Sequence, residues 1–215
     1  MKELEIAMLS HLHQDSSMTD ISASLDTLIK HPIVHAPWKE FPYLPEVSFS
    51  IAHHNNCIFI KYNVFEAVVK AAWYKSDDPV YKDSCVEFFI SMDEMGYYNF
   101  EFNAIGTCKL NFGTDRHNRK VISDKVVNSI RYLATLQNKI DSDSRRGVHW
   151  ELVLMIPLEA FAEHHLTSLS GKRCAANFYK CGDDLPVPHY VCWNDIQTPS
   201  PDFHRPEYFG RLVFL

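Results

Sequence analysis

Two glutamates stand inside aromatic, strand-like runs of the sequence, where an acidic residue is unusual. Glu87 lies in CVEFFI, Glu101 lies in YNFEFN, and the polar segment SMDEMGY separates the two runs. If the chain turns around Glu94, antiparallel pairing places Glu87 directly opposite Glu101. Two carboxylates on one face of a sheet can bind a cation, share a proton, accept hydrogen bonds from a hydroxyl-rich ligand, or act as a general acid and base.

The same pairing gives this hairpin two faces of opposite character. The apolar residues of both runs fall together on one face, which would anchor the hairpin in a core. Asn99 and Asn103 join the two glutamates on the other face. Like charges that stand directly opposite each other destabilise a sheet, so this face requires a cation, a shared proton or a polar ligand. Spacing alone leaves an alternative, namely a solvated face on which Lys or Arg side chains neutralise the glutamates.

Most of the remaining chain alternates apolar and polar residues with a period of two, which is typical of β-strands. About ten strands with few helical periods between them predict a sandwich or a barrel. The candidate strands are 47–52, 58–64, 66–74, 84–91, 97–104, 107–112, 127–136, 148–156, 174–181, 189–193 and the closing FGRLVFL.

Helical patterns are short and peripheral. The segment MTDISASLDTLIKHP predicts one amphipathic helix with apolar residues from Ile21 to Ile29 and Thr19 as its N-cap, and IPLEAFAEHH predicts one or two helical turns. The proline-rich HAPWKEFPYLPEV predicts an extended segment, and DSDSRRG predicts an exposed loop. We expect a single domain over residues 1–215, in which residues 1–44 form a helix and an extended segment packed on the edge of the sandwich.

Composition disfavours several classes of partner. The chain has 215 residues, a formal net charge of -6 and a pI near 6.0, and its Lys and Arg residues are scattered, so a nucleic-acid surface is not expected. No window approaches the roughly 20 apolar residues of a membrane span, and the N-terminus has no apolar run typical of a signal peptide. We therefore expect a cytoplasmic protein without a membrane partner. The sequence gives no indication of its oligomeric state.

Neither the cysteines nor the histidines form a metal-binding motif. The six cysteines are isolated from one another, so we expect reduced thiols, with Cys181 or Cys192 near the candidate site. The twelve histidines lack the i, i+4 spacing of HExxH. Asp77, Asp78 and Asp83 could serve a calcium ion, but no EF-type loop accompanies them. We therefore assign no metal ligands and no cofactor.

Several stretches of the chain, taken in order, resemble the carbohydrate-binding family 9-like domains. These domains usually accompany glycoside hydrolases in polysaccharide degradation. The resemblance implies a jelly-roll-like sandwich, a non-catalytic role in holding sugars and, in some members, a structural calcium ion. We accordingly predict an all-β, antiparallel jelly-roll or immunoglobulin-like β-sandwich with short peripheral helices. The stretches that carry the resemblance are HAPWKEFPYLPEVSFSIAH, VYKDSCVEFFI, YYNFEFNAIGT, GTDRHNR, NFYKCGDDLPVPHYVCWN and PDFHRPEYFGRLVF.

Sugar binding has chemical requirements that the sequence can meet. A pyranose has apolar C–H faces that stack on aromatic rings, and hydroxyl groups that bond to carboxylates, amides or guanidinium groups. We expect a mono- or oligosaccharide ligand, with Lys180 or an arginine balancing the paired glutamates and a tryptophan as the stacking wall. The predicted ligand-binding residues are Glu87, Glu101, Asn103, Lys180, Trp193, Trp73, Arg116 and Arg119.

Two other functions remain open at this point. A glycoside hydrolase could use Glu87 and Glu101 as its paired carboxylates, which lie about 5 to 5.5 Å apart in retaining enzymes and about 6.5 to 9.5 Å apart in inverting ones. The sequence shows no reason for the two pKa values to differ, so we assign no catalytic residue. A sandwich that binds other proteins is the third possibility.

Overall fold

The computed structural model describes residues 1–137 and 147–215, and most of its regular structure is strand. The predicted loop DSDSRRG lies outside the described residues except for Gly147. The strands are β1 (Glu3–Ile6), β2 (His31–Pro32), β3 (Glu46–His54), β4 (Cys57–Glu66), β5 (Cys85–Asp93), β6 (Gly96–Asn103), β7 (Cys108–Gly113), β8 (Arg119–Val121), β9 (Arg131–Gln137), β10 (Val148–Pro157), β11 (Arg173–Cys181), β12 (Tyr190–Cys192) and β13 (Gly210–Phe214). The helices are α1 (Met18–Asp26), α2 (Asp124–Val127) and the 3-10 turns Val80–Lys82, Leu158–Ala160 and Pro206–Tyr208.

The strands form two sheets that pack face to face. Within the described residues, one sheet has eight strands in the order β1-β13-β11-β5-β6-β7-β8, with β12 beside β11, and the other has five in the order β2-β3-β4-β10-β9. The pairing of β1 with β13 is parallel, and the other pairings are antiparallel. The predicted antiparallel β-sandwich with short peripheral helices is confirmed.

An aromatic stack joins the two sheets at the centre of the core. Phe178 of β11 stacks on Phe49 of β3 with ring centroids 3.7 Å apart, and on Phe88 of β5 at 4.9 Å. All three side chains are fully buried. Since burial of a large apolar side chain contributes about 1.5 to 3 kcal/mol, this layer fixes which face of each strand points inward.

The eight-stranded sheet carries a second aromatic cluster on its outer face. Phe89, Tyr97 and Tyr179 project outward from β5, β6 and β11, and Phe203 stacks on Tyr179 with centroids 4.1 Å apart. Phe203 comes from the segment before β13, which lies across this face. This part of the outer face is therefore covered by protein, unlike the solvated sheet face that spacing alone allowed.

The hairpin of β5 and β6 has the predicted register. Glu87 is the cross-strand partner of Glu101, and the register shifts only near the turn, between Ile90 and Asp93. The further pairs predicted from a turn at Glu94 are also present, namely Cys85 with Asn103 and Phe89 with Asn99.

Helix α1 forms within the predicted segment, but its N-cap is Ser17 and not Thr19, because the Ser17 hydroxyl accepts a hydrogen bond from the backbone N–H of Asp20. Ile21 and Leu25 are buried against the outer face of the five-stranded sheet, whereas Ile29 lies beyond the helix and is exposed. Within the described residues, no helix is long and apolar enough to span a membrane.

The prediction of a strand over 66–74 is wrong beyond Glu66, where β4 ends. The backbone N–H groups of Ala72 and Trp73 instead donate to Oδ2 of the buried Asp83, at 2.8 and 3.1 Å. A side chain thus takes hydrogen bonds that a neighbouring strand would otherwise accept.

We predicted that Lys180 lies beside the paired glutamates, but its side chain lies between the two sheets. It is the cross-strand partner of Val86, so its side chain shares the inward face with the core residues of β5. Its Nζ lies 2.9 Å from Oε2 of Glu66, and both side chains are fully buried. Nζ also donates to the Cys181 carbonyl and contacts Nε2 of His189 at 2.8 Å. The Nε1 of Trp150 donates to the other Glu66 oxygen.

We expect Lys180→Met to lower the free energy of unfolding by about 3 to 5 kcal/mol, because it leaves the buried Glu66 carboxylate without its cation. The double variant Lys180→Met/Glu66→Gln should recover part of this loss, since the amide can still accept from Trp150. Urea unfolding of both variants measures this, with Lys125→Met, which removes an exposed lysine, as control. Wild-type stability in Lys180→Met would contradict a structural role for the pair.

Candidate functional site

A polar pocket of about 250 Å³ opens on the outer face of the eight-stranded sheet, beside the second aromatic cluster. It contains four of the eight residues predicted to bind ligand, namely Glu87, Glu101, Arg116 and Arg119. The lining residues are Tyr81, Glu87, Asn99, Glu101, Lys109, Asn111, Arg116, Arg119, Cys181, Asp183, Tyr190, Pro201, Asp202, Phe203 and His204.

Strand register places the polar residues at the base of the pocket. Glu101 of β6 faces Glu87 of β5 on one side and Lys109 of β7 on the other. Asn99 of β6 likewise faces Asn111 of β7. Residues that are directly opposite each other share a face, so all of these side chains project outward from the sheet. The rim comes from the loop before β8 and from the segments around residues 183–190 and 201–204.

Burial makes the two glutamates difficult to ionise. Loss of solvent raises the pKa of Glu87 well above its usual range, and the facing Glu101 raises it further. Loss of solvent also raises the pKa of Glu101 to about 7, although the Asn99 amide and the nearby Lys109 and Arg119 act in the opposite direction. Desolvation and the facing carboxyl thus favour the neutral form of Glu87, and the facing pair avoids carrying two full charges.

The hydrogen bonds of Glu101 leave one of its oxygens available. Oε1 accepts from the Nδ2 of Asn99 at 2.7 Å, whereas Oε2 is buried and has no hydrogen-bond partner among the described residues. The side chain is only 3% exposed. A buried acceptor without a partner is costly, so Oε2 is suited to receive a donor from a ligand in the pocket.

Arg119 organises the wall on the β7 and β8 side. Its guanidinium group lies 4.3 Å from the centre of the Tyr97 ring, and its Nε donates to the Asn99 Oδ1 at 2.9 Å. Arg119 thus orients the Asn99 amide toward Glu101. Arg116 is more exposed and lies 3.6 Å from Asp202, while Lys109 forms an ion pair with Asp77.

Aromatic groups form the opposite wall. Tyr81 and Tyr190 are partly exposed in the pocket, and Phe203 is held beneath them by its stack on Tyr179. Burial and the nearby Arg119 and Arg116 lower the pKa of His204 to about 3, so its imidazole is neutral. The Tyr97 hydroxyl lies 2.9 Å from Nδ1 of this ring.

Trp193 and Trp73, predicted as stacking walls, are not part of the pocket lining. Trp193 is 4% exposed and packs edge-on against Phe49 and Phe178 in the main core. Its ring lies so close to Gly210 that a Cβ there would be 2.5 Å from a ring carbon. Trp73 is partly buried against the second aromatic cluster.

Asn103 is also outside the pocket lining, because its side chain holds the loop that follows β6. Its Nδ2 donates to the Trp73 carbonyl and to Asp83, and its Oδ1 accepts from the backbone N–H groups of Ile105 and Thr107. All of its hydrogen-bonding capacity is directed to the protein.

Two groups of residues bear on metal binding. The aspartates considered for calcium do not gather into a set of three ligands within the described residues. Asp77 pairs with Lys109, and Asp78 accepts hydrogen bonds from the backbone N–H groups of Tyr74 and Lys75. By contrast, Cys85, Glu87 and Cys181 each offer one atom that could bind a metal ion, and these three atoms lie within 4.8 Å of one another.

Sequence reasoning missed most of the pocket wall. Lys109 and Asn111 alternate in the CKLNFG run, so extending the predicted register from β6 to β7 would have found them. Asp202 and His204 belong to PDFHRP, a stretch whose position over the sheet is not encoded by any local pattern.

We expected Cys181 or Cys192 to lie near the candidate site. Cys181 lines the pocket, while Cys192 does not. All six cysteines are buried free thiols.

Comparison with known proteins identifies a matching family and several similar structures. A family model described as carbohydrate-binding family 9 matches residues 18–214, and no curated protein matches the chain. The crystal structure of a candidate carbohydrate-binding protein from Bacteroides uniformis ATCC 8492 is 35% identical, with a TM-score of 0.89 over 100% of this chain and 99% of that one.

Two more distant structures share the fold. Both are carbohydrate-binding module family 9 domains from Caldicellulosiruptor kristjanssonii, each 11% identical to this chain. The complex with glucose has a TM-score of 0.61 over 100% of this chain and 96% of that one, and the complex with cellotriose has 0.60 over 99% and 93%.

We expect Glu101→Gln to stabilise the protein in a pH-dependent manner. The folded-state pKa of about 7 lies above the ordinary value of 4.5 for this carboxyl group, so the stability from this group is complete below pH 4.5 and is lost as the pH rises to about 7. The neutral amide avoids this loss. The free energy of unfolding of Glu101→Gln should therefore exceed that of wild type by about 1 to 3 kcal/mol at pH 8, and by much less at pH 4.5.

Urea unfolding at the two pH values, with a chelator present, measures this difference. Glu159→Gln, which alters an exposed glutamate outside the pocket, is the matched control and should differ from wild type equally at both pH values. If Glu101→Gln also shows no pH-dependent difference, the Glu101 carboxyl is not desolvated as described.

Proposed function

Since the chain belongs to carbohydrate-binding family 9, we propose that it binds a mono- or oligosaccharide in the polar pocket without cleaving it. In this proposal, residues 1–215 act as one binding domain. The observation that carries the assignment of the site is the buried Oε2 of Glu101, an acceptor without a partner that lies in a pocket with aromatic walls.

The pocket chemistry matches both parts of a sugar ring. In its neutral form, which burial favours, Glu87 can donate a hydrogen bond to a hydroxyl oxygen, and Glu101 Oε2 can accept one from a hydroxyl hydrogen. Tyr81 and Tyr190 present partly exposed rings to the apolar C–H face of the sugar. Asn111 and Arg116 add a further amide and a guanidinium group at the sides.

The size of the pocket favours the end of a sugar chain over an extended segment. Its volume of about 250 Å³ lies just below the roughly 300 to 1,000 Å³ of typical small-molecule sites. One or two rings therefore occupy it, and a longer chain extends past the Arg116 and Asp202 rim into solvent. The family 9 complexes from C. kristjanssonii contain glucose and cellotriose, so these sugars are the first ligands to test.

The glycoside hydrolase alternative is not favoured by the comparisons, because the family model that matches residues 18–214 describes a carbohydrate-binding family. A retaining mechanism would need one of the two glutamates as an ionised nucleophile and the other as a protonated acid. In this proposal, both carboxyl groups instead form hydrogen bonds to the hydroxyl groups of a bound sugar.

We expect Glu101→Gln to weaken sugar binding roughly tenfold or more, because the amide replaces the free acceptor with a donor and a hydrogen bond to a charged group contributes about 1.5 to 3 kcal/mol. Isothermal titration calorimetry at pH 8 with glucose, cellotriose and a panel of other monosaccharides measures this, starting from a wild-type affinity in the micromolar to millimolar range.

Tyr81→Ala tests the aromatic wall in the same assay and should also weaken binding. Tyr74→Ala is its control, because Tyr74 is 71% exposed and outside the pocket lining, and Glu159→Gln is the control for Glu101→Gln. Wild-type affinity in both pocket variants, for a sugar that the wild type binds, would place the sugar site elsewhere.

A further inference from the structure

Two thiols and a carboxyl group converge at the base of the pocket. Cys85 of β5 and Cys181 of β11 are direct cross-strand partners, and Glu87 lies two residues beyond Cys85 on the same face. The Sγ of Cys181 is 3.1 Å from Oε1 of Glu87, and the Sγ of Cys85 is 3.9 Å from the same oxygen. The three ligand atoms all lie within 4.8 Å of one another.

We propose that Cys85, Cys181 and Glu87 form a binding site for a thiophilic divalent metal ion, with Zn²⁺ as the best match. Zinc is commonly bound by a tetrahedral set of thiolate, imidazole and carboxylate ligands. Its bonds of about 2.0 to 2.3 Å place the ligand atoms of a tetrahedral site roughly 3.5 Å apart. The two sulfur–oxygen distances, 3.1 and 3.9 Å, fall on either side of that value.

The type of donor decides which metal the site takes. Thiolates select zinc and other soft or borderline ions, whereas calcium and magnesium require oxygen ligands. The calcium expected for some members of the family is thus a different ion with a different donor set. A two-cysteine, one-glutamate site also leaves a fourth position for water or another ligand, as in zinc centres with three protein ligands.

The three side chains are shielded from water, and a metal ion can still reach them. All three are at most 3% exposed, which keeps competing water away from the ligands. Two of them, Glu87 and Cys181, also line the pocket, so an ion can reach them from solvent. Because Glu87 and Cys181 line the pocket, a fourth ligand can also approach from that side.

Metal binding at this site needs no redox partner. Two S–H groups and one carboxyl group release their protons to solvent, and two metal–sulfur bonds and one metal–oxygen bond form. The buried pair is also placed so that oxidation could join the two sulfur atoms. A disulfide would remove both ligands, and it is therefore an outcome that the experiment must detect.

The inference is tested on the full-length, reduced protein without sugar, so that its result is independent of sugar binding. Titration with Co²⁺ should produce a thiolate-to-cobalt charge-transfer band at one equivalent, and Zn²⁺ should then displace the cobalt. Cys85→Ser, Cys181→Ser and Glu87→Gln should each weaken metal binding by at least roughly tenfold. Cys57→Ser, which alters a buried thiol in the five-stranded sheet, is the control and should leave binding unchanged.

Several results would contradict the inference. A cobalt spectrum without a thiolate band, or a wild-type cobalt affinity in both serine variants, rules the site out. A mass measurement that shows a Cys85–Cys181 disulfide in protein purified without reductant would indicate a redox pair in place of a metal centre. Circular dichroism establishes whether each variant is folded. If a serine variant is unfolded, the Glu87→Gln variant, which keeps both thiols, decides the question through its cobalt affinity.

Discussion

The antiparallel pairing of β5 with its two neighbours is the constraint on which the rest of this structure depends. It sets Glu87 opposite Glu101 on one side and Cys85 opposite Cys181 on the other, and it directs all four side chains to the outer face. The inward face of the same strands is fixed by the aromatic stack that joins the two sheets. Because side chains alternate along a strand, the core determines which polar groups reach the pocket.

Lys180 and Cys181 show how sharply this alternation divides the two faces. Lys180 lies between the sheets and forms an ion pair with Glu66, which removes it from the pocket. Its neighbour Cys181 faces outward and contacts Glu87. One position along β11 therefore separates a group that stabilises the sandwich from a group that contributes to the site.

The β5–β6 hairpin was predictable from the sequence because both strands and their turn are adjacent in the chain, so the register follows from local alternation. The face of Lys180 was not predictable in this way, since it depends on pairing between β5 and β11, which are more than eighty residues apart. The position of Trp193 was not predictable for a similar reason, because a tryptophan at a strand end is equally consistent with a binding wall and with a core position. Only the packing against Phe49 and Phe178 decides between them.

The outer face explains how a sheet can retain two facing glutamates. The second aromatic cluster excludes water from one side of the pair, and the resulting loss of solvation raises the pKa of Glu87 and favours its neutral form. The same exclusion strengthens any hydrogen bond that a ligand makes to Glu101, because the effective dielectric constant is low there. An arrangement of buried acids that is unfavourable on its own is thereby improved by a ligand that supplies hydroxyl donors, or by a cation that neutralises these acids. The energetic cost of the pair and its capacity to bind have one physical cause, which is the desolvation imposed by the aromatic layer.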